Sequence, residues 1–361
     1  LEHKISLFVK AKIVSILINV GLNLFFLALL KPMHEGHWGP AFLQNLYFPS
    51  IGAGYIFLAN LLANASLFYW LRSSFASFRW TWDGAEMKKL WVYSYPIMFM
   101  SLAAMFNLMF DRLLLEEFLP ESFYPGRSSQ DALGIYGNCY KLSVFMSLAI
   151  QAFKYSAEPF FLGKKAEAND QSNLALVTHW FIIICTFLWV GVSVNLFWIK
   201  TLFLRREIYW EGIGIVPILL LANLFLGVYY TQSVWFKKTN KTYMGTIITL
   251  IGLVTTVAGN IIFIPKYGYM ACAWSFLASS LVMMILCYLG GQKFDPIPYR
   301  WKAGLFYIVL GYLCIVIGNK IQDYIDLPNI IRENIGVFIL LLFVVVFEFS
   351  WKGGGKFKLK H

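Results

Sequence analysis

The segment MFNLMFDRLLLEEFLP, Met105–Pro120, decides how the rest of the chain is read. It has the look of an apolar helix, yet Asp111 and Arg112 stand side by side in its middle. A charged side chain near the centre of a bilayer costs about 2.5–3.5 kcal/mol on insertion scales. Either the segment lies outside a membrane, or partners inside a helical bundle offset that cost. Composition separates the two. Of the 361 residues, 59% are hydrophobic and only 14% are charged, against about 25% charged in ordinary soluble domains. Mean hydropathy is +0.63. The expected fold class is an all-α, polytopic helical membrane protein.

A crossing helix needs about 20 mostly apolar residues. Working outward from Met105, ten segments qualify: residues 9–30, 49–71, 92–118, 133–161, 175–199, 213–235, 243–264, 269–289, 303–319 and 335–350. Of the 30 Lys and Arg residues, 20 lie toward one side of this arrangement. Eight fall on the other, and Arg112 and Lys141 lie within spans. The positive-inside rule then places both ends of the chain in the cytoplasm. It also accounts for the net charge of +11 through topology and contact with anionic membrane lipids. Nucleic-acid binding is excluded as a reading, because the basic residues sit in separate short loops rather than on one patch. Trp70, Trp91, Trp198, Trp235, Trp301 and Trp351 stand at span ends, where an aromatic belt would put them.

Several features read as structural. Cys139, Cys185, Cys272, Cys287 and Cys314 lie in apolar runs without zinc-like spacing or a disulfide framework. Gly245, Gly252 and Gly259 recur every seventh residue, and Ala271, Ser275, Ala278 and Ser279 follow in the next span. Small residues of this kind let helix backbones approach closely. Pro49, Pro96, Pro159 and Pro217 lie in or at the edges of spans and can kink them. Residues 72–91, basic and rich in Trp, read as a cytoplasmic connection between two helical bundles.

The polar residues inside spans carry the functional reading. In LGIYGNCYKLSVFMSLAIQAFKYSAEPFF (133–161), Tyr136, Tyr140, Ser143, Ser147, Gln151, Lys154 and Glu158 follow steps of three and four. A continuous helix would place them on one face. From Tyr136 to Glu158 the rise is about 33 Å at 1.5 Å per residue, close to the hydrocarbon thickness. Such a stripe is expected to face a hydrated cavity. Asn107 and Asp111 share a face of 92–118, and two pairs four apart, Asn19 with Asn23 and Asn60 with Asn64, are secondary candidates. Arg112 should point about 100° away from Asp111. The set Arg112, Lys141 and Lys154 would suit an anionic ligand such as a phosphate or pyrophosphate.

At these residues the chain resembles a known family. SYPIMFMSLAAMFNLMFDRLLL (94–115) and the segment 133–161, with its Leu-Gly-x-Tyr start and Pro-containing exit, are similar to the spans that open the second lobe of polysaccharide flippases. These belong to the multidrug/oligosaccharidyl-lipid/polysaccharide exporter superfamily. The resemblance implies a two-lobe, alternating-access transporter. It makes residues 1–71 the last two spans of an incomplete first lobe and 72–91 the connection between lobes. Residues 92–319 become the second lobe with its following span, and 320–361 a final span with a basic tail. About four spans of the first lobe are then expected to be absent, in keeping with Leu1 as the first residue. The implied cargo is an undecaprenyl-pyrophosphate-linked oligosaccharide such as an O-antigen or capsule unit, in the bacterial cytoplasmic membrane. Tyr136 and Tyr140 would line its route, Arg112, Lys141 and Lys154 would hold the pyrophosphate, and Asp111 or Glu158 would couple transport to a proton or sodium ion.

Two other readings compete. A multidrug exporter of the same superfamily would bind cationic drugs through acidic residues, against the cationic tilt seen here. A membrane glycan polymerase or acyltransferase would need a catalytic cluster, and the pair His34 and His37 gives only two possible metal ligands on a short loop. The sequence calls for no enzyme activity, metal or cofactor.

Overall fold

The computed structural model describes residues 2–36, 38–44, 46–70, 72, 83–162, 170–204, 206–321 and 329–350. Among these the secondary structure is helical, with no strand. The chain divides into two compact units, Leu1–Gly84 and Ala85–His361.

In the first unit, α1 (Glu2–Asn23) continues through a π-helical stretch, Leu24–Leu30, into Lys31–Glu35. It packs on α2 (Gly54–Trp70). Ala11, Ala59 and Ala63 are buried along the contact. Their small side chains let Ser15 Oγ donate to the Ala63 carbonyl across the two helices at 2.8 Å. Below, Leu30, Tyr47 and Tyr55 form a small apolar cluster, pinned where the Phe48 N–H donates to the Tyr55 hydroxyl at 2.8 Å.

The second unit opens with α3 (Gly84–Phe118), which contains Pro96. It continues with α4 (Ser129–Lys141), α5 (Val144–Leu162), α6 (Asp170–Val194), α7 (Val216–Gln232), α8 (Thr242–Tyr267), α9 (Tyr269–Phe294), α10 (Trp301–Ile321) and α11 (Asn329–Val344). One contiguous core runs from Leu115 to Val344. At its centre α9 packs against both α7 and α8, while α10 lies against α6 and α11.

The start of α4 is set by a capping box. Ser128 Oγ accepts the Asp131 N–H at 3.2 Å and Asp131 accepts the Ser128 N–H at 3.0 Å. These bonds from Ser128 hold the Asp131 carboxyl below its ordinary range. Its support for α4 is therefore complete above the usual carboxylate pKa and fades as pH falls through the lowered one. Gly268, at φ +57°, makes the turn from α8 to α9. A Cβ there would also sit 2.8 Å from the Phe123 ring, so both conformation and space favour glycine.

The structure departs from the ten expected spans in instructive places. Seven described segments are long and apolar enough to cross a membrane. The α2 helix has 17 residues, and the last apolar helix, Asn334–Glu348, is also short. The expected single span 133–161 is two helices, broken at Leu142–Ser143. There the Tyr140 carbonyl accepts both the Ser143 N–H, at 2.9 Å, and the Ser143 hydroxyl, at 2.7 Å. The turn tightens and the next helix restarts from the Ser143 carbonyl. Trp235 is a second correction. It is 1% exposed and its indole N–H donates to the Cys287 carbonyl at 3.1 Å, so it is core rather than belt. Trp70, Trp91, Trp198 and Trp301 are exposed, and Trp351 lies outside the described residues.

The seven-residue glycine repeat is a packing seam. Ser279 Oγ donates to the Gly252 carbonyl at 2.8 Å. A Cβ on Gly252 would meet Met283 Cγ at 2.6 Å, and one on Gly259 would meet Ser275 Oγ at 2.6 Å. Gly252→Leu is expected to destabilise the second unit by about 1–3 kcal/mol through overpacking. Thermal unfolding in detergent measures this, with the exposed Leu250→Ala as the near-neutral comparison.

Candidate functional site: a polar seam along one helical unit

The adjacent charges of α3 are parted by the helix itself. Asp111 is 2% exposed. It accepts a hydrogen bond from the hydroxyl of Tyr136, which is fully buried on α4, and the Arg112 N–H donates to its other oxygen at 2.8 Å. Arg112 leaves the helix in a different direction. Its guanidinium carbon lies 4.8 Å from the centroid of the Tyr140 ring, one helical turn along from Tyr136. Two tyrosines four residues apart thus receive two neighbouring charges, one through a hydroxyl and one through a ring face. A cation over an aromatic ring gains about 0.5–2 kcal/mol, more when water is excluded.

The break at Leu142–Ser143 divides the expected stripe. Tyr136 and Ser143 are buried, Tyr140, Ser147 and Lys154 are half-buried, and Lys141 and Gln151 are exposed. Lys154 Nζ lies 3.4 Å from the centroid of the Tyr230 ring on α7. Lys141 donates to Asn138 Oδ1 at 3.1 Å. The side chain of Glu158 lies outside the described residues. The structure thus joins Asp111 and Arg112 to Tyr136 and Tyr140, and sets Lys154 on α5 against α7.

Asn107, one turn before Asp111, heads a second polar group. Its Oδ1 accepts the Thr256 hydroxyl from α8, and its amide donates to Ser279 Oγ on α9 at 3.2 Å. Asn260, one turn beyond Thr256, is fully buried with neither amide atom hydrogen-bonded. Thr256 and Asn260 did not emerge from the sequence, and Ser279 emerged only as a packing residue. The available signal was their small polar character on the glycine-bearing faces of 243–264 and 269–289. In the first unit each asparagine pair closes within its own helix. Asn23 donates to Asn19 at 2.9 Å and Asn64 to Asn60 at 2.6 Å.

Near the start of α4, Arg127 pairs with Glu211, and Tyr124 stacks on Tyr269 with ring centroids 5.1 Å apart. Burial pushes the Tyr124 hydroxyl pKa up, which keeps it neutral in this loop. Among the described residues no group of three or more His, Cys, Asp or Glu is placed to hold a metal ion. Of the histidine pair, His34 packs near Tyr47 and His37 lies outside the described residues.

No protein-family model matches the chain. No curated protein matches it in sequence. Among solved structures it is similar to the lipid II flippase MurJ in an inward closed conformation, with a TM-score of 0.56 at 17% identity. The match covers 82% of this chain and 62% of that one, so the chain spans less than two thirds of the flippase's length. The likeness is one of fold, an all-helical arrangement in which seven described segments are long and apolar enough to cross a membrane.

Removing the Tyr136 hydroxyl would leave the buried Asp111 carboxyl without its side-chain donor. Tyr136→Phe is expected to destabilise the second unit by about 1–3 kcal/mol. Adding Asp111→Leu should recover part of that loss, because both halves of the pair are then gone. Unfolding of the two single variants and the double variant gives the coupling. Strict additivity would contradict a direct bond.

Proposed function

We propose that this chain belongs to a transporter that flips undecaprenyl-pyrophosphate-linked oligosaccharide units across the bacterial cytoplasmic membrane for surface polysaccharide synthesis. The flippase-type fold supports movement of a lipid-linked cargo. The observation that carries the choice of cargo is the pairing of cations with tyrosine faces, Arg112 with Tyr140 and Lys154 with Tyr230. A guanidinium presents its donors in the plane of the group, so one lying on a ring can still meet phosphate oxygens at its edge. Tyrosine rings also suit the apolar faces of sugars. The same arrangement disfavours cationic drugs as cargo.

In this reading the cargo headgroup passes along the polar seam while its lipid tail stays in the bilayer. Transport in this reading proceeds by alternating access. Both ends of the chain lie in the cytoplasm in this reading, which the Lys and Arg distribution supports. Asp111 is the group through which a coupling proton or sodium ion acts, since it is the acidic member of the seam whose surroundings are described. No catalysis and no cofactor enter this scheme.

The test is complementation of a strain lacking the gene. Arg112→Gln and Lys154→Gln should each lower surface polysaccharide by about tenfold, the loss expected for one charge-assisted contact to phosphate, at unchanged protein level in the membrane. Arg112→Lys should rescue only in part, because an ammonium cannot offer the planar fork. Full surface polymer from the Arg112→Gln/Lys154→Gln double variant would contradict the proposal.

A further inference from the structure

A cavity of about 520 Å³ lies away from the polar seam, between α6, α7, α9 and α10. Most of its wall is apolar, formed by residues such as Ile182, Phe225, Leu281, Met284 and Leu305. Its other lining is different. Thr178 and His179 come from α6, Gln232 from the end of α7, and Tyr299 from the turn before α10. Thr178 is 3% exposed, His179 2% and Gln232 6%. Thr178 Oγ1, His179 Nδ1, Gln232 Oε1 and the Tyr299 hydroxyl are all buried without a hydrogen-bond partner. Four unpaired polar atoms around one cavity are costly in a membrane protein, where water does not meet them.

One of the four is held in place from behind. His179 Nε2 lies 2.8 Å from Glu348 Oε1, which also accepts the Tyr307 hydroxyl at 3.0 Å. With Nε2 engaged there, Nδ1 is the ring nitrogen left to meet a ligand. The donor and acceptor set is mixed and largely uncharged: two hydroxyls, one amide oxygen and one imidazole nitrogen. A bare divalent cation would require converging carboxylates, and a bare anion would be repelled by the amide oxygen. The set fits an uncharged polar group with both kinds of site, such as glycerol esters. At the mouth stand Arg300, which is exposed, and Trp301. Lys293, Lys237 and Lys238 belong to the same Lys-rich end of the helices. Basic residues between helices at such an end are suited to anionic lipid headgroups.

We infer that this cavity binds one anionic glycerophospholipid. Its phosphate meets Arg300, its glycerol ester region meets Thr178, His179, Gln232 and Tyr299, and an acyl chain fills the apolar trough. The occupied site braces α6, α7, α9 and α10 together, and through Glu348 it reaches the segment that follows α11. The lipid is a bound component of the second unit, not cargo.

The test uses the full chain, purified and delipidated in detergent, then titrated with phosphatidylglycerol. Native mass spectrometry should show one retained lipid, and the melting temperature should rise with it. Phosphatidylethanolamine should bind about tenfold more weakly, and Arg300→Gln should abolish that preference. Thr178→Val/Gln232→Leu should weaken phosphatidylglycerol by about tenfold or more, yet raise the melting temperature of the lipid-free protein, because two unpaired buried groups are removed. Arg300 is exposed, so its variant keeps the test valid should the double variant fail to fold. Equal retention of phosphatidylglycerol by the wild type and Arg300→Gln would overturn the inference. So would no retained lipid in the wild type, or the same thermal shift from inorganic phosphate or glycerol 3-phosphate alone.

Discussion

A carboxyl group in a membrane protein must find its hydrogen bonds within the protein, and Asp111 finds its side-chain donor in the Tyr136 hydroxyl. That bond helps tie the long helix α3 to the rest of the second unit. It draws α4 against the long helix α3, whose other ties are also made by side chains, at Asn107 and through the Thr246 hydroxyl on the Pro96 carbonyl. Arg112 and Tyr140 then meet, because each lies at a set helical angle from the bonded pair. The question raised by two adjacent charges in a greasy helix therefore has a geometric answer. They are neighbours in sequence but look in different directions, and each has an aromatic partner shaped for it.

The fold class was legible because membrane helices are marked by composition and length, which need no knowledge of contacts. The Asp111–Arg112 pair stood out as a candidate for the same reason, since two charges contrast with an apolar background. The break at Leu142–Ser143 was not. Nothing in the hydrophobic pattern changes there, and the turn tightens only because Ser143 turns its hydroxyl onto the Tyr140 carbonyl. The break puts Tyr136 and Tyr140 on one helix and Ser147, Gln151, Lys154 and Glu158 on the next. Trp235 misled for a related reason. Its place at the end of an apolar run fits a belt, but its indole found the Cys287 carbonyl inside the bundle. The cluster of His179, Gln232, Tyr299 and Glu348 was hidden by distance along the chain. His179 and Glu348 are 169 positions apart, and no spacing rule connects them. A lone polar residue in each span was the only signal.

The two units solve the problem of close helix packing in the same way and then diverge. In the first, alanines and Ser15 bring α1 and α2 together, and the asparagine pairs satisfy themselves within their helices. In the second, glycines on α8 admit Ser275, Ser279 and Met283 from α9. That close approach carries Thr256 and Ser279 to Asn107, so a packing device also builds a polar group next to the seam. Arg112 over Tyr140 and Lys154 over Tyr230, the two pairs invoked for a pyrophosphate, both lie on this second unit.

The most direct test of flipping is the sidedness of lipid-linked glycan in cells from which the gene has been deleted. Flipping predicts that lipid-linked repeat units accumulate on the inner face of the cytoplasmic membrane while surface polymer is lost, and that restoring the gene reverses both. Unchanged amounts on both faces, with surface polymer intact, would contradict it. Single repeat units accumulating on the outer face would contradict it as well, since they would place the defect after the crossing.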